Sequence, residues 1–332
     1  MAEIVVIQTA FPGDLILTTP VFQSLKTAGH AVTALIRAGT ESILGHNPNV
    51  DFIITLDKKG GVRSFLKCLK ELKSRRCEIA VIAQKHPRSA LLALYAGIER
   101  RIGFEGAPGG FAYTHTVSFD RSAHAVNRYL SLCAGISATG GLSPRIFVSE
   151  KEIQAVRRTL GECGLSADRL ITLAPGSIWK TKRWPFFKEL AELIIRESDF
   201  NPTIIGGKDD AEIGERIAAA FPNRVISLAG RLSMIESAAL LGLSKLAITN
   251  DSAPAHMAAA VGTPVVSIFG PTVPAFGFVA YSGKSIVVEN KGLYCRPCSS
   301  HGPQQCPEKH FYCMLKIEAK TVWRAAAELL AS

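Results

Sequence analysis

The chain has no uninterrupted apolar run of the roughly 18–20 residues that a membrane span requires, so no spanning helix is expected. Its start, MAEIVVIQTAFPGD, has no basic stretch ahead of an apolar one, which argues against a secretory signal. The folded domains are therefore expected in the cytoplasm. No G-x-G-x-x-G follows the first apolar strand; QTAFPGD stands there instead, so a nicotinamide or flavin site is not expected. A G-x-x-x-x-G-K-[ST] phosphate loop is also missing. So is a D-x-D triplet, since Asp209 and Asp210 are adjacent rather than alternate. A metal holding a nucleotide diphosphate then has no obvious seat, and fixed cations must take its place. Aromatics are sparse, at 8%, and few interleave the basic residues, which weakens a single-stranded nucleic-acid reading.

What is present is a globular composition, 47% hydrophobic and 20% charged over 332 residues. That length exceeds one typical core, so two domains are expected. The net charge of +10 suits an acidic partner: nucleic acid, anionic lipid or a phosphorylated substrate. Basic residues recur between positions 58 and 101, among them Lys58, Lys59, Arg63, Arg88 and Arg101. Lys67, Lys70 and Lys73 read as the wet face of a helix.

Apolar strands alternate with helices along the chain. Residues 4–7 (IVVI) form a first strand, apolar throughout and so buried on both faces. A helix follows from Asp14 or from Thr19, its start left open by Pro20. Strands at 31–36, 52–56 and 79–82 continue the pattern, with an amphipathic helix over 62–73. A polar helix over 149–163 begins the second half. A second series then starts with a strand at 170–174 and ends with a helix over about 316–330. Such alternation predicts doubly wound parallel sheets. The expected domains are 1–148 and 149–332, with the closing helix able to pack back on the first.

The second half is organised around 249–272, TNDSAPAHMAAAVGTPVVSIFGPT. It reads as strand end, loop, helix, strand and loop. Asn250, Asp251 and Ser252 suit a helix start, and Pro254 suits its first turn. Such a helix N-terminus is either an anion seat or an ordinary capped connection. Upstream, 174–185 (APGSIWKTKRWP) again follows a strand. Gly176 permits close backbone approach, Ser177 offers a hydroxyl, and Lys180, Lys182 and Arg183 offer cations, as a diphosphate leaving group needs. The plainer reading is a solvated basic loop. Asp14, just beyond the first strand, is either a helix N-cap or a general base for an acceptor hydroxyl. His256 either caps a carbonyl or donates to phosphate or sugar.

These residues resemble the ADP-heptose:lipopolysaccharide heptosyltransferases, glycosyltransferase family nine, and most of all the heptosyltransferase II branch. The resemblance runs over nearly the whole chain. Gly13-Asp14 followed by Pro20, Arg100-Arg101-Ile102-Gly103-Phe104, and His124 with Arg128-Tyr129 carry it in the first half. Pro175-Gly176-Ser177, the W-K-x-K-R-W-P run at 179–185, N-D-S-x-x-x-H at 250–256 and Phe269-Gly270-Pro271-Thr272 carry it in the second. It implies a GT-B fold: two facing Rossmann-like domains with a cleft between them, acceptor in the first and donor in the second. It implies inverting, metal-independent transfer of heptose from ADP-heptose to the lipopolysaccharide inner core, without a cofactor. Asp14 then matches the catalytic base. Ser177 and Lys182 match diphosphate contacts, with Lys180 beside them. Asp251, Ser252, Ala253 and His256 match the donor-binding turn. Asp209 falls where an acidic residue holds the ribose, and Leu232 where an apolar side chain lies on adenine. Lys58, Lys59, Arg63, Arg88 and Arg101 become candidates to meet the anionic acceptor. The expected partners are these two substrates and the inner face of the inner membrane, touched peripherally by a monomer, with no nucleic acid.

Eight cysteines are present. Cys68, Cys77, Cys133 and Cys163 are scattered and read as reduced thiols. Cys295, Cys298, Cys306 and Cys313 cluster, and metal ligation, disulfides and free thiols all fit their spacing. Two other functions remain open on sequence: a same-fold transferase of another nucleotide sugar for a surface glycan, and a non-catalytic nucleotide or glycan binder.

Overall fold

The computed structural model describes residues 1–138 and 140–331. The chain divides into two compact units, Met1–Phe147 and Val148–Ser332. The first unit carries β1 (Glu3–Gln8), α1 (Pro12–Thr27), β2 (Ala31–Arg37), β3 (Phe52–Leu56), α2 (Gly61–Arg75), β4 (Ile79–Ile82), α3 (Pro87–Tyr95), β5 (Arg100–Phe104), β6 (His115–Val117) and α4 (Ala125–Ser131). Its sheet runs β3-β2-β1-β4-β5-β6, with every pair parallel. The second unit carries α5 (Glu150–Glu162), β7 (Leu170–Ala174), α6 (Phe187–Glu197), β8 (Asn201–Ile204), α7 (Ala211–Ala218), β9 (Ile226–Ser227) and α8 (Met234–Leu243). It continues with β10 (Leu246–Asn250), α9 (Ala253–Ala260), β11 (Val265–Phe269), β12 (Ser285–Glu289), α10 (Tyr312–Leu315) and α11 (Ala319–Ala331). Its sheet runs β12-β11-β10-β7-β8-β9, again all parallel.

The apolar runs read in the sequence become the central strands. Ile4, Val5, Val6 and Ile7 are fully buried, as are Leu246, Ala247 and Ile248. Helices cover both faces, which leaves no side of such a strand for polar residues. In the first unit Val5, Ile7, Leu35 and Ile54 pack against Cys68, Leu72 and Leu92 of the flanking helices. In the second, Leu173, Ile248 and Ile268 pack with Trp184, Phe187 and Leu190. Each large side chain so buried contributes about 1.5–3 kcal/mol.

Three helices start elsewhere than the sequence suggests: α1; α6, which the sequence places over 184–197; and α11, which it places over about 316–330. Helix α1 starts at Pro12 and runs straight through Pro20. Pro20 has no N–H for the carbonyl of Ile16, four residues back. The Thr19 hydroxyl donates to that carbonyl instead, at 2.8 Å. Helix α6 starts at Phe187, and the Trp184 N–H ahead of it donates to the Asn250 side chain at 3.1 Å. Helix α11 buries Val322 and Ala326 in its own unit's core, and Trp323 there donates to Glu197 of α6 at 2.8 Å.

In each sheet the strand order reverses at one place, between β1 and β4 and between β7 and β10. Ligands of open α/β sheets bind outside the carboxyl ends of strands at such points. The first turn of α1, just after β1, carries Asp14, and the loops after β7 and β10 carry Lys182 and Asp251.

Candidate active site

In the second unit the loops after β7 and β10 are locked together from below. Asn250 is fully buried; its amide donates to the carbonyl of Pro175 at 2.8 Å and its oxygen accepts from Trp184 N–H at 3.1 Å. It is therefore a staple between two strand ends rather than a helix cap, and Ser252 takes the cap position of α9. Above the staple the Lys182 ammonium donates to Asp251 Oδ2 at 2.6 Å. The Thr272 hydroxyl donates to the same oxygen, also at 2.6 Å. The two partners of the ion pair are mostly shielded from solvent, with 12% and 9% of their side chains exposed. An ammonium has three donors, so this pairing aims Lys182 while leaving two donors for a ligand.

Ser177 is buried and accepts from Trp179 N–H at 3.3 Å. Ser252 and Ala253 open α9, and His256 lies buried one turn along it. Lys180 is exposed at the loop's edge. Arg183, which the sequence grouped with the free cations, is turned inward. Its Nε donates to the Ser177 carbonyl at 2.8 Å and its Nη2 reaches Asp210 at 3.3 Å. Asp210 was missed in the sequence. Its other oxygen accepts from Gly207 N–H at 3.0 Å, and its carboxylate lies where any side chain at residue 176 would sit. A Cβ on Gly176 would meet Asp210 Cγ at 2.2 Å. Gly176 thus permits the approach of a carboxylate that holds the loop's arginine. Asp209 stays exposed on the turn after β8. The neighbouring loop that carries Leu232 is tied to this one by Gly230 N–H donating to the Gly206 carbonyl at 2.9 Å.

In the first unit Asp14 is the third residue of α1, near the positive end of the helix dipole. The cap position belongs to Phe11, so the N-cap reading of Asp14 does not hold. Tyr129 of α4, 115 residues away, donates its phenol to Asp14 Oδ1 at 2.9 Å. Burial first, then the Asp14 charge, pushes the Tyr129 phenol well above its usual 10, so it stays a donor. Lys58 and Arg128 both feel the Asp14 charge. Burial first, then Arg37 and Arg88, lowers the Lys58 ammonium, while Asp14 opposes the shift. Arg128 is buried and likewise lowered by burial, against Tyr129, Asp120 and Asp14. Arg88 donates to the Lys58 carbonyl at 3.4 Å.

A second group of cations was not assigned to the acceptor in the sequence. Lys85 stands 3.2 Å over the Phe119 ring, and Arg128 lies 5.0 Å from the same ring. Burial, then Arg121 and Arg128, lowers the Lys85 ammonium. Only the fold gathers these residues, from loops after β4 and β6 and from α4. Lys59 and Arg63 are exposed where α2 begins. Arg101 is occupied elsewhere, since its guanidinium donates to the carbonyls of Ala112, Ile98 and Glu99 at the start of β5. That is the amino end of the sheet, away from the strand ends that carry Asp14.

The clustered cysteines are free thiols, like the other four. Among the described residues no group of three or more His, Cys, Asp or Glu is gathered as a metal site. Cys313 is buried in the core, its thiol pushed up to about 11 by burial. Burial and the neighbouring Cys295 and Cys306 raise Cys298 as well.

Glycosyltransferase family 9 (heptosyltransferase) matches residues 65–310. Lipopolysaccharide heptosyltransferase 2 of Escherichia coli is 28% identical over 297 residues, 82% of this chain and 84% of that protein. The structure of E. coli ADP-heptose lipopolysaccharide heptosyltransferase II superposes with a TM-score of 0.82 at 26% identity, covering 99% of this chain and 98% of the other. A family 9 glycosyl transferase from Veillonella parvula gives 0.88 at 25% identity, covering 99% and 97%. Two doubly wound parallel sheets in series are the GT-B architecture of these structures. By its family match, its fold and the residues at its strand ends, the chain belongs to glycosyltransferase family 9, the heptosyltransferases.

Proposed function

We propose that this glycosyltransferase moves heptose from ADP-heptose to the inner core of lipopolysaccharide, with inversion at the anomeric carbon and no metal in the step. The observation that carries the reading is the Lys182–Asp251 pair at the strand-order reversal of the second sheet, beside the N-terminus of α9. A diphosphate there meets an ammonium already aimed, Ser177, Lys180, and the N–H groups of a helix start. Negative charge grows on the leaving ADP as the glycosidic bond breaks, so fixed donors act most strongly in the transition state. Asp209 serves the ribose and Leu232 the adenine.

In the acceptor unit the Asp14 carboxylate takes the proton of the attacking hydroxyl, and Tyr129 fixes one of its oxygens. Lys58, Lys59, Arg63 and Arg88 serve the acceptor's phosphates and carboxylates, joined by Lys85 and Arg128 beside Phe119 and by Arg121. Arg101 is left out, because its donors are spent on main-chain carbonyls. The enzyme works as a monomer on the cytoplasmic side of the inner membrane and touches it peripherally. No helix among the described residues is long and apolar enough to cross a membrane.

The test is product identification. The protein is incubated with ADP-heptose, ADP-glucose and UDP-glucose in turn, each with a heptose-deficient core acceptor, and products are weighed by mass spectrometry. Addition of one heptose from ADP-heptose alone is the expected outcome. Transfer only from another nucleotide sugar would move the function to a different glycan.

A further inference from the structure

The cysteine-rich segment has no role in the reading above, yet it forms a wall of the diphosphate loop. Cys298 N–H donates to the Pro271 carbonyl at 2.9 Å, and the Thr181 hydroxyl donates to the Pro303 carbonyl. Gln304 accepts from Lys180 N–H at 3.3 Å and donates to the Ile178 carbonyl at 3.1 Å. His301 stacks on Trp179 with ring centroids 6.0 Å apart. At Gly302, where φ is +83°, a Cβ would come within 3.0 Å of Pro271 and 3.3 Å of the Lys182 side chain.

Between Cys295 and Cys298 stands Arg296, whose side chain is only 5% exposed. Its Nη2 donates to the Thr272 carbonyl at 2.8 Å and to Glu289 Oε2 at 2.9 Å, and its Nη1 donates to the Asn290 carbonyl at 2.5 Å. Glu289 is the last residue of β12 and pairs with Phe269, the last of β11. Arg296 therefore clamps the chain leaving β11 onto the end of the edge strand. The clamped residue is Thr272, whose hydroxyl shares Asp251 Oδ2 with Lys182. A continuous polar chain runs from Glu289 through Arg296, Thr272 and Asp251 to Lys182, each link between 2.6 and 2.9 Å.

We propose that Arg296 is a positioning residue for the diphosphate-binding lysine, acting through Thr272 and Asp251. A guanidinium suits this role because its planar fork reaches three acceptors at once; an ammonium of similar length does not. With Thr272 held, Asp251 Oδ2 is fixed between two donors, and Lys182 meets the diphosphate without reorganising. Without the clamp, Thr272 turns, the carboxylate gains freedom, and ordering the lysine falls to the ligand.

The proposal rests on reading Lys182 as a diphosphate contact, so its test separates the two. ADP and AMP binding are measured by calorimetry on the full chain for the wild type, Arg296→Lys, Thr272→Val and Thr272→Ser. Kinetics with ADP-heptose and melting temperatures are measured alongside. Arg296→Lys and Thr272→Val should each weaken ADP about tenfold, the worth of one hydrogen bond to a charged group. AMP, which lacks the second phosphate, should change by less than about twofold, and Thr272→Ser should restore ADP binding. Unchanged ADP affinity in both variants would overturn the proposal. So would parallel losses for ADP and AMP, the mark of general loosening. A Lys182→Ala protein that binds ADP as the wild type does would instead remove the reading beneath it.

Discussion

Lys182, the proposed diphosphate contact, shows how a single side chain is held in one place. Its ammonium is held by a carboxylate that is itself held by a hydroxyl, in a site mostly shielded from water. A hydrogen bond to a charged group is worth about 1.5–3 kcal/mol, and 1.4 kcal/mol is roughly tenfold in rate. Lys182→Ala is therefore expected to lower kcat/KM for ADP-heptose by about 10- to 100-fold, as steady-state kinetics would read. Unchanged kinetics would take this lysine out of the site. The sequence singles the residue out, since cations, a glycine and a serine after an apolar strand suit a phosphate. The arrangement was not legible there. Arg183 looks the same as Lys182 in the sequence, and only the fold turns it onto Asp210 and the Ser177 carbonyl. Tyr129 joins Asp14 across 115 residues, a separation no local pattern reports.

Elements built from long apolar runs were read well, because burial on both faces of a parallel strand leaves a plain signature. The short edge strand β6, HTV, has two exposed residues of three and carries no such signature. Helix α4 follows it without one either, yet supplies Arg128 and Tyr129. Pro20 left the start of α1 open in the sequence, and the helix runs through it with the Ile16 carbonyl taken up by the Thr19 hydroxyl. Asn250 is the element-scale test. Its amide group serves the Pro175 carbonyl and the Trp184 N–H at once. Asn250→Ala strands both buried groups at about 1–3 kcal/mol each. The unit's melting temperature should drop by several degrees, at roughly 2–4 °C per kcal/mol for a unit of this size. Calorimetry showing no drop would mean that the loops after β7 and β10 are held by other contacts.

At the scale of the whole molecule the net charge of +10 has a direction. Helix α2 exposes Val62 and Leu66, 74% and 56% accessible, four residues apart on one face. Arg63, Lys67 and Lys70 flank them on one side, all exposed. Apolar side chains flanked by basic ones suit the interface of an anionic bilayer. Val62→Ser with Leu66→Ser should weaken sedimentation with phosphatidylglycerol vesicles about tenfold and leave ADP affinity unchanged. Equal binding of both proteins, or equal binding to neutral vesicles, would contradict a docking role for this face.

The two halves of the proposed reaction sit in different units, the proton acceptor in one and the charge stabiliser in the other. Asp14→Asn tests whether they serve one chemical step. Asparagine keeps the shape and can still accept from Tyr129, but it cannot take a proton. General-base help is worth about 10²–10⁴ in rate. The measurement is single-turnover transfer of heptose from ADP-heptose to a heptose-deficient core acceptor, by wild type and by Asp14→Asn, with donor affinity and melting temperature alongside. The account predicts that Asp14→Asn binds ADP-heptose and melts as the wild type does while transferring at least about a hundredfold more slowly. Transfer by Asp14→Asn at the wild-type rate would contradict it.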